Sequence, residues 1–284
     1  MQIKRLVTSI ALAFAAVTSA HAVTFNDFRV DPTLTGTTTI PPAFDADKIV
    51  GGYNEVITFT GLNTFSVTLK WEAGQFWSND GANLVSPLTT GLGTQYGLYA
   101  ILIGSGTFSQ AGTVTTFNMT SGNVEMWYDD INADPLRLTG LTLPGAGGGA
   151  VTKSQSADDI LLATGSVVAP STGKLDISLN TCDTNGNGTI DPGEGINCGS
   201  FGQSTTIDLT SGGAQGNKFF VLPSPFYQLS FQSGQLNNFT IGGTQTINGS
   251  LDIVFTNPIP EPATLTLVGL SLLGLAAARK RKVA

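Results

Sequence analysis

Histidine is almost missing from this chain: His21 is the single one in 284 residues. Charge is scarce as well, at 12% of residues, with 13 Lys or Arg against 20 Asp or Glu. Cys182 and Cys198 are the whole thiol content. Helix-period segments of useful length are missing from the long stretch between the two ends. Each shortage excludes some chemistry. His21 falls inside an N-terminal export segment, so the exported body has no histidine, which rules out Ser-His-Asp and Cys-His catalysis and the usual zinc sites. Paired carboxylates remain as a hydrolytic device, yet no spacing singles out a pair.

What is present begins at the ends. Lys4-Arg5 form a basic n-region, Leu6 to Val17 an apolar h-region, and Ala20-His21-Ala22 an A-x-A cleavage site. Residues 1–22 thus read as a signal peptide for signal peptidase, leaving Val23 as the first mature residue. At the other end, Pro260-Glu261-Pro262 leads into Ala263–Ala278, which carries no charge, and then Arg279-Lys280-Arg281-Lys282. Sixteen helical residues reach about 24 Å against a hydrocarbon core of about 30 Å, a tight span held by its basic flank.

This tail, residues 258–284, resembles the PEP-CTERM sorting signal of Gram-negative bacteria: a Pro-Glu-Pro motif, a short transmembrane helix and a terminal basic cluster, in that order. The resemblance implies processing by an exosortase, a membrane-embedded cysteine transpeptidase. It implies a transient inner-membrane anchor, followed by delivery to the cell surface or extracellular matrix.

Between the processed ends, seven of the 13 basic and 19 of the 20 acidic residues remain, so the body carries about −12 against −7 for the whole chain. A body this acidic has no footprint for nucleic acid and repels polyanions unless a divalent metal bridges them. Residues 23–257 show recurring strand signals. Glu55–Thr60 and Thr64–Trp71 flank Gly61-Leu-Asn63 as a hairpin, and Tyr96–Ile103 reads as a strand buried on both faces. Thr113–Met119 and Asn123–Tyr128 flank Thr-Ser-Gly-Asn turn chemistry, read as a second hairpin. Further strands are expected at 159–163, 174–179, 205–209, 218–222, 226–232, 238–241 and 249–255. The expected fold is all-β, a two-sheet sandwich or jelly roll, with a signal helix before it and a short transmembrane helix after it. A glycine-rich run at 144–150 is a candidate separation between two halves.

One motif in the body carries definite chemistry. Asp183-Thr-Asn-Gly-Asn-Gly-Thr-Ile-Asp-Pro-Gly-Glu194 fits the twelve-residue calcium-loop pattern. Its ligands would be Asp183, Asn185, Asn187, the Thr189 carbonyl, Asp191 and Glu194, with Gly188 at the sharp turn. Hard oxygen donors at this spacing wrap one Ca²⁺; two asparagines lower the ligand charge, so the affinity expected is about 10⁻⁴ to 10⁻³ M. The flanks are strand-like and glycine-rich rather than helical, as in the isolated loops of secreted proteins such as dockerins. Cys182 and Cys198 bracket the loop (an insertion at 182–198), and in an oxidising compartment a disulfide is the expected state. Closing it would stabilise by roughly 3 kcal/mol in the chain-entropy model. A weaker echo, Asp130-Ile-Asn132-Ala-Asp134, has Pro135 where the glycine belongs and reads first as a polar turn. Asp45, Asp47, Asp158 and Asp159 read as surface acids without a role.

Several body segments, among them Val23-Thr-Phe-Asn-Asp-Phe28, Ala46-Asp-Lys-Ile-Val-Gly-Gly-Tyr53, Pro223-Ser-Pro-Phe-Tyr227 and Gly243-Thr-Gln-Thr-Ile-Asn-Gly249, are similar to flocculation-associated PEP-CTERM proteins. That resemblance implies a non-enzymatic surface or matrix protein that helps cells aggregate with exopolysaccharide. Two other classes stand beside it. A carbohydrate-binding module would use Trp71, Trp77 or Trp127 for stacking, although such aromatics more often lie in a core. A secreted two-carboxylate glycoside hydrolase would need a pair that the spacing does not show.

Overall fold

A computed structural model gives the structure and describes residues 25–34, 42–131, 141–144, 151–153, 159–176, 199–211, 215–223, 228–237 and 242–256. Residues 1–22, where a signal peptide is expected, and the tail 258–284 lie outside them. In chain order the strands are β1 (Phe28–Val30), β2 (Phe44–Ala46), β3 (Lys48–Phe59), β4 (Thr64–Ser78), β5 (Asn83–Leu84), β6 (Tyr96–Ala111) and β7 (Val114–Asp130). There follow β8 (Leu141–Thr142), β9 (Thr152–Lys153), β10 (Ile160–Asp176), β11 (Gly199–Ser211), β12 (Phe220–Leu222), β13 (Gln228–Asn237) and β14 (Thr244–Thr256). Two single-turn helices, α1 (Pro87–Thr90) and α2 (Gly216–Phe219), complete the set among the described residues.

The all-β expectation holds, with a nine-stranded and a three-stranded sheet packed together. The larger sheet goes a step further. β3 pairs with β4 on one side and with β14 on the other, so β3, β4, β6, β7, β10, β11, β13 and β14 close into an antiparallel ring with consecutive neighbours. Its stagger can be traced. Thr60 meets Thr64 through a backbone bond, and paired residues then run Thr64, Thr107, Asn118, Thr172, Ser204, Gln232, Asp252 and Val50. The circuit returns to β3 ten residues below its start. For eight strands that stagger corresponds to a tilt of about 40° and a backbone radius of about 8 Å.

Alternation fills the inside. Ile49, Tyr53 and Ile57 of β3 and Phe65, Val67, Leu69 and Trp71 of β4 are all buried, as are alternate residues of β6, β7 and β14. Outward residues such as Thr116, Asn118 and Thr120 are exposed, which is the reverse polarity of a barrel that crosses a membrane with its strands. Trp71 donates its indole N–H to the Leu251 carbonyl at 2.8 Å across the interior. It fits there because position 51 has no side chain: a Cβ on Gly51 would collide with the Trp71 ring and the Glu72 carbonyl.

The β3–β4 hairpin forms around residues 60–63 as expected, and Tyr96–Leu102 is buried at every position. The hairpin expected around Thr120-Ser-Gly-Asn123 does not form. β7 runs straight through it, paired with β6 across Gly104↔Gly122, with a shift at Ser105/Gly106 and a Ser105–Ser121 hydroxyl contact of 2.9 Å. Turn-forming residues here serve a coiled strand, where small side chains permit the bend of a closing sheet. In the same way, the two strands expected at 159–163 and 174–179 are one, β10, and 218–222 begins as α2 before becoming β12. The glycine-rich run at 144–150 separates no two halves, since β7 before it pairs directly with β10 after it.

Candidate functional site

The two ends of the barrel differ, and the difference places the sequence motifs. One end is stoppered by the three-stranded sheet β12-β1-β2. Phe28 sets its ring edge-on to Phe255 at 4.7 Å and to Phe220 at 6.2 Å, and Phe44 meets Phe76 at 4.9 Å. Above this stopper, Tyr96 and Tyr128 stack at 5.0 Å inside the ring, with Phe219 edge-on to both. Burial pushes the Tyr96 hydroxyl well above its usual pKa, with Tyr128 adding to the shift.

The start of the described chain and the end of β14 meet at the stoppered end. The Asn26 side-chain amide donates to the Phe255 carbonyl at 2.9 Å, and Phe25 N–H donates to Asp80 Oδ1 at 3.0 Å. Asp80 belongs to a turn, Asn79-Asp80-Gly81, in which all three residues have positive φ. The turn wraps a carboxylate: Gly81 N–H donates to both oxygens of Asp47, at 3.1 and 3.2 Å. Asp47 is therefore no surface acid but is fully buried. Burial raises its pKa, an effect opposed by the Gly81 and Asp80 backbone donors and reinforced by Asp27 and Asp80. Lys48 completes the group, 3.4 Å from Asp252 and 5.4 Å from the Trp77 ring centroid. The sequence offered the Asn-Asp-Gly turn as a signal; nothing local linked it to Asp47, 34 residues away.

The opposite end carries the connections 60–63 and 112–113 and the strand ends Asp176 and Gly199. The calcium-type loop belongs to the sequence between those two strand ends. Asp183, Asn185, Asn187, Thr189, Asp191 and Glu194 lie outside the described residues, as do Cys182 and Cys198. What the structure does give is the stem. β10 and β11 pair from Ala163↔Ser211 up to Asp176↔Ser200, so the loop leaves and re-enters the rim at neighbouring strand ends, about 5 Å apart. The segments 177–182 and 195–198, on which the expectation of non-helical flanks falls, lie outside the described residues. Oxygen donors of this set suit Ca²⁺. Among the described residues no group of three or more His, Cys, Asp or Glu side chains is arranged to hold a metal, so the calcium reading rests on this loop alone.

On the outer face, Tyr99 and Trp127 lie nearly parallel, 10° apart with centroids 6.4 Å apart. Tyr99 donates its hydroxyl to Asp159 at 2.6 Å, and the Trp127 indole donates to Glu125 at 3.2 Å. Burial, and then the Asp159 carboxylate, raise the Tyr99 pKa, so Asp159 has a structural partner after all. Of the tryptophans proposed for stacking, Trp71 is sealed in the interior, whereas Trp77 and Trp127 keep accessible surface. Asp129 and Asp130 are nearly buried at the end of β7, with Asp130 paired to Tyr96. Asn132 and Asp134 lie outside the described residues, as do Ala20, Ala22 and the tail motif.

Among the described residues no helix is long and apolar enough to cross a membrane. Residues 258–282 match the model of the PEP-CTERM protein-sorting motif. The chain thus carries that motif, with Pro260, Glu261 and Pro262 at its start and Arg279, Lys280, Arg281 and Lys282 at its end. The motif implies export, cell-surface sorting and processing by an exosortase. Neither a curated protein nor a solved structure matches the chain.

Proposed function

We propose that this is a non-enzymatic surface or matrix protein, released from its anchor by an exosortase, that promotes cell aggregation together with exopolysaccharide. The observation that carries this reading is the sorting motif following directly on β14. β14 ends at Thr256 on the stoppered side of the barrel, opposite the end where β10 stops at Asp176 and β11 starts at Gly199. With strands tilted about 40°, a thirteen-residue strand spans roughly 30 Å of height.

An acidic barrel does not adhere to acidic polysaccharide by charge alone. Ca²⁺ held at Asp183–Glu194, with ligand positions left for polymer oxygens, bridges the two anions. A second reading is a carbohydrate-binding module. One observation favours it: Trp127 is a partly accessible, oriented ring whose N–H is held by the Glu125 carboxylate. The deciding experiment is deletion of the gene in its host, scoring flocs while measuring secreted polysaccharide. Lost flocs with unchanged polysaccharide support the matrix role, and recovery of chelated flocs by Ca²⁺ but not by Na⁺ supports the bridge. Intact flocs in the deletion strain overturn the reading, and equal rescue by sodium reduces the bridge to charge screening.

A further inference from the structure

β3 pairs without irregularity from Gly51 to Thr58 on both sides. Glu55 therefore shares the face of Tyr53 and Ile57, each 3% exposed, and points into the ring. Its cross-strand neighbours are Leu69 of β4 and Ile247 of β14, both buried and apolar. No ion pair or hydrogen bond to a described residue acts on the carboxylate; burial alone pushes its pKa up to about 7. Yet Glu55 retains accessible surface where its neighbours have almost none, so it borders open space inside the ring.

The surroundings offer it no compensating charge. The inward rows of β4, β6, β10 and β14 hold no ionisable side chain among the described residues besides tyrosine, and Asp130 of β7 sits at the far, stoppered end. β13 has no ionisable residue, and the one of β11, Asp208, is in register with Ser166 of β10. Inward positions Gly165 and Gly249 have no side chain to fill the space. Toward the rim, Phe59, Phe65, Phe108 and Phe117 form an aromatic layer with centroid spacings of 4.8 Å and 5.6 Å. An unpaired carboxylate in apolar surroundings is costly unless a charged donor meets it, and strongly perturbed acids in concave sites are where ligands are found.

We propose that the lumen beside Glu55 binds a small apolar molecule carrying a protonated amine, with Glu55 pairing the ammonium. The apolar part lies against Leu69, Ile57 and the phenylalanine layer. An eight-stranded barrel of this kind is wide enough either to fill itself or to hold one small ligand.

The probe is hexylammonium, titrated calorimetrically into the full chain at pH 8, with hexanol and hexanoate as neutral and anionic counterparts. At that pH the carboxyl is ionised and the amine still protonated. The expected result is saturable binding with at least a tenfold preference for hexylammonium, abolished in Glu55→Gln while that variant still melts cooperatively. Should Glu55→Gln fail to fold, Glu55→Asp decides: it keeps the charge, and the preference should persist at weaker affinity. Absence of saturable hexylammonium binding overturns the proposal. So does equal binding of hexanol, a preference that survives Glu55→Gln, or a preference lost in a folded Glu55→Asp.

Discussion

Glu55 carries a large share of the pH response of this barrel. Glu55 ionises near 4.5 in a free chain and near 7 in the folded one. Between those values the folded state holds a proton that the unfolded state has released, so stability falls as pH rises. The contribution is fully present below about 4.5 and lost above about 7, amounting to at most about 3 kcal/mol. Asp47 shifts in the same direction, so the useful quantity is a difference. Urea unfolding of wild type and Glu55→Gln should show wild type losing up to about 3 kcal/mol relative to the variant between pH 4.5 and 7.5; parallel curves would remove Glu55 from the account. Neither acid announced itself in the sequence. In Asn54-Glu55-Val56-Ile57, Val56 and Ile57 are both buried, so the alternation does not say which side Glu55 takes. Asp47 is buried only because a turn formed 34 residues later closes over it.

At the scale of elements, β10 and β11 pair up to Asp176↔Ser200, so the two ends of the 177–198 connection sit on neighbouring strands. A loop with affinity of about 10⁻⁴ to 10⁻³ M gains about 1.4 to 2.7 kcal/mol from 10 mM Ca²⁺, enough to raise the melting temperature by several degrees. Asp183→Ala and Glu194→Ala should each abolish that rise without changing the melting temperature in chelator. A wild type insensitive to millimolar Ca²⁺ ends the calcium reading. Element existence was readable wherever apolar alternation met a real turn, as at Gly61-Leu-Asn63. It failed where glycine and serine serve curvature: β7 reads as two strands because its bend at Ser121-Gly122 has the composition of a loop. The strand count came out too high for the same reason at β10.

For the molecule as a whole, the decisive fact is closure, which no local pattern reveals. It is a register between β14 and β3, residues that stand about 200 positions apart and whose alternation serves an open sandwich equally well. The sorting motif, by contrast, was readable outright, because its three parts are contiguous and their order alone identifies them. Pro260→Ala with Pro262→Ala should leave the chain at its full length and in the membrane fraction. Wild type should appear shortened, at the surface or in the matrix, and immunoblots of the fractions check this; normal shortening of the double variant would separate processing from the motif. The placement of the last strand has a mechanical consequence. β14 is bonded along both edges, to β3 and to β13, and it ends at Thr256 on the stoppered side, just before the sorting motif. Tension entering there runs parallel to the strand, so its hydrogen bonds must slide past their partners together instead of parting one by one. Flow that tugs on a tethered cell would thus load the barrel along its most resistant direction, and rupture would be governed by a slow unfolding rate.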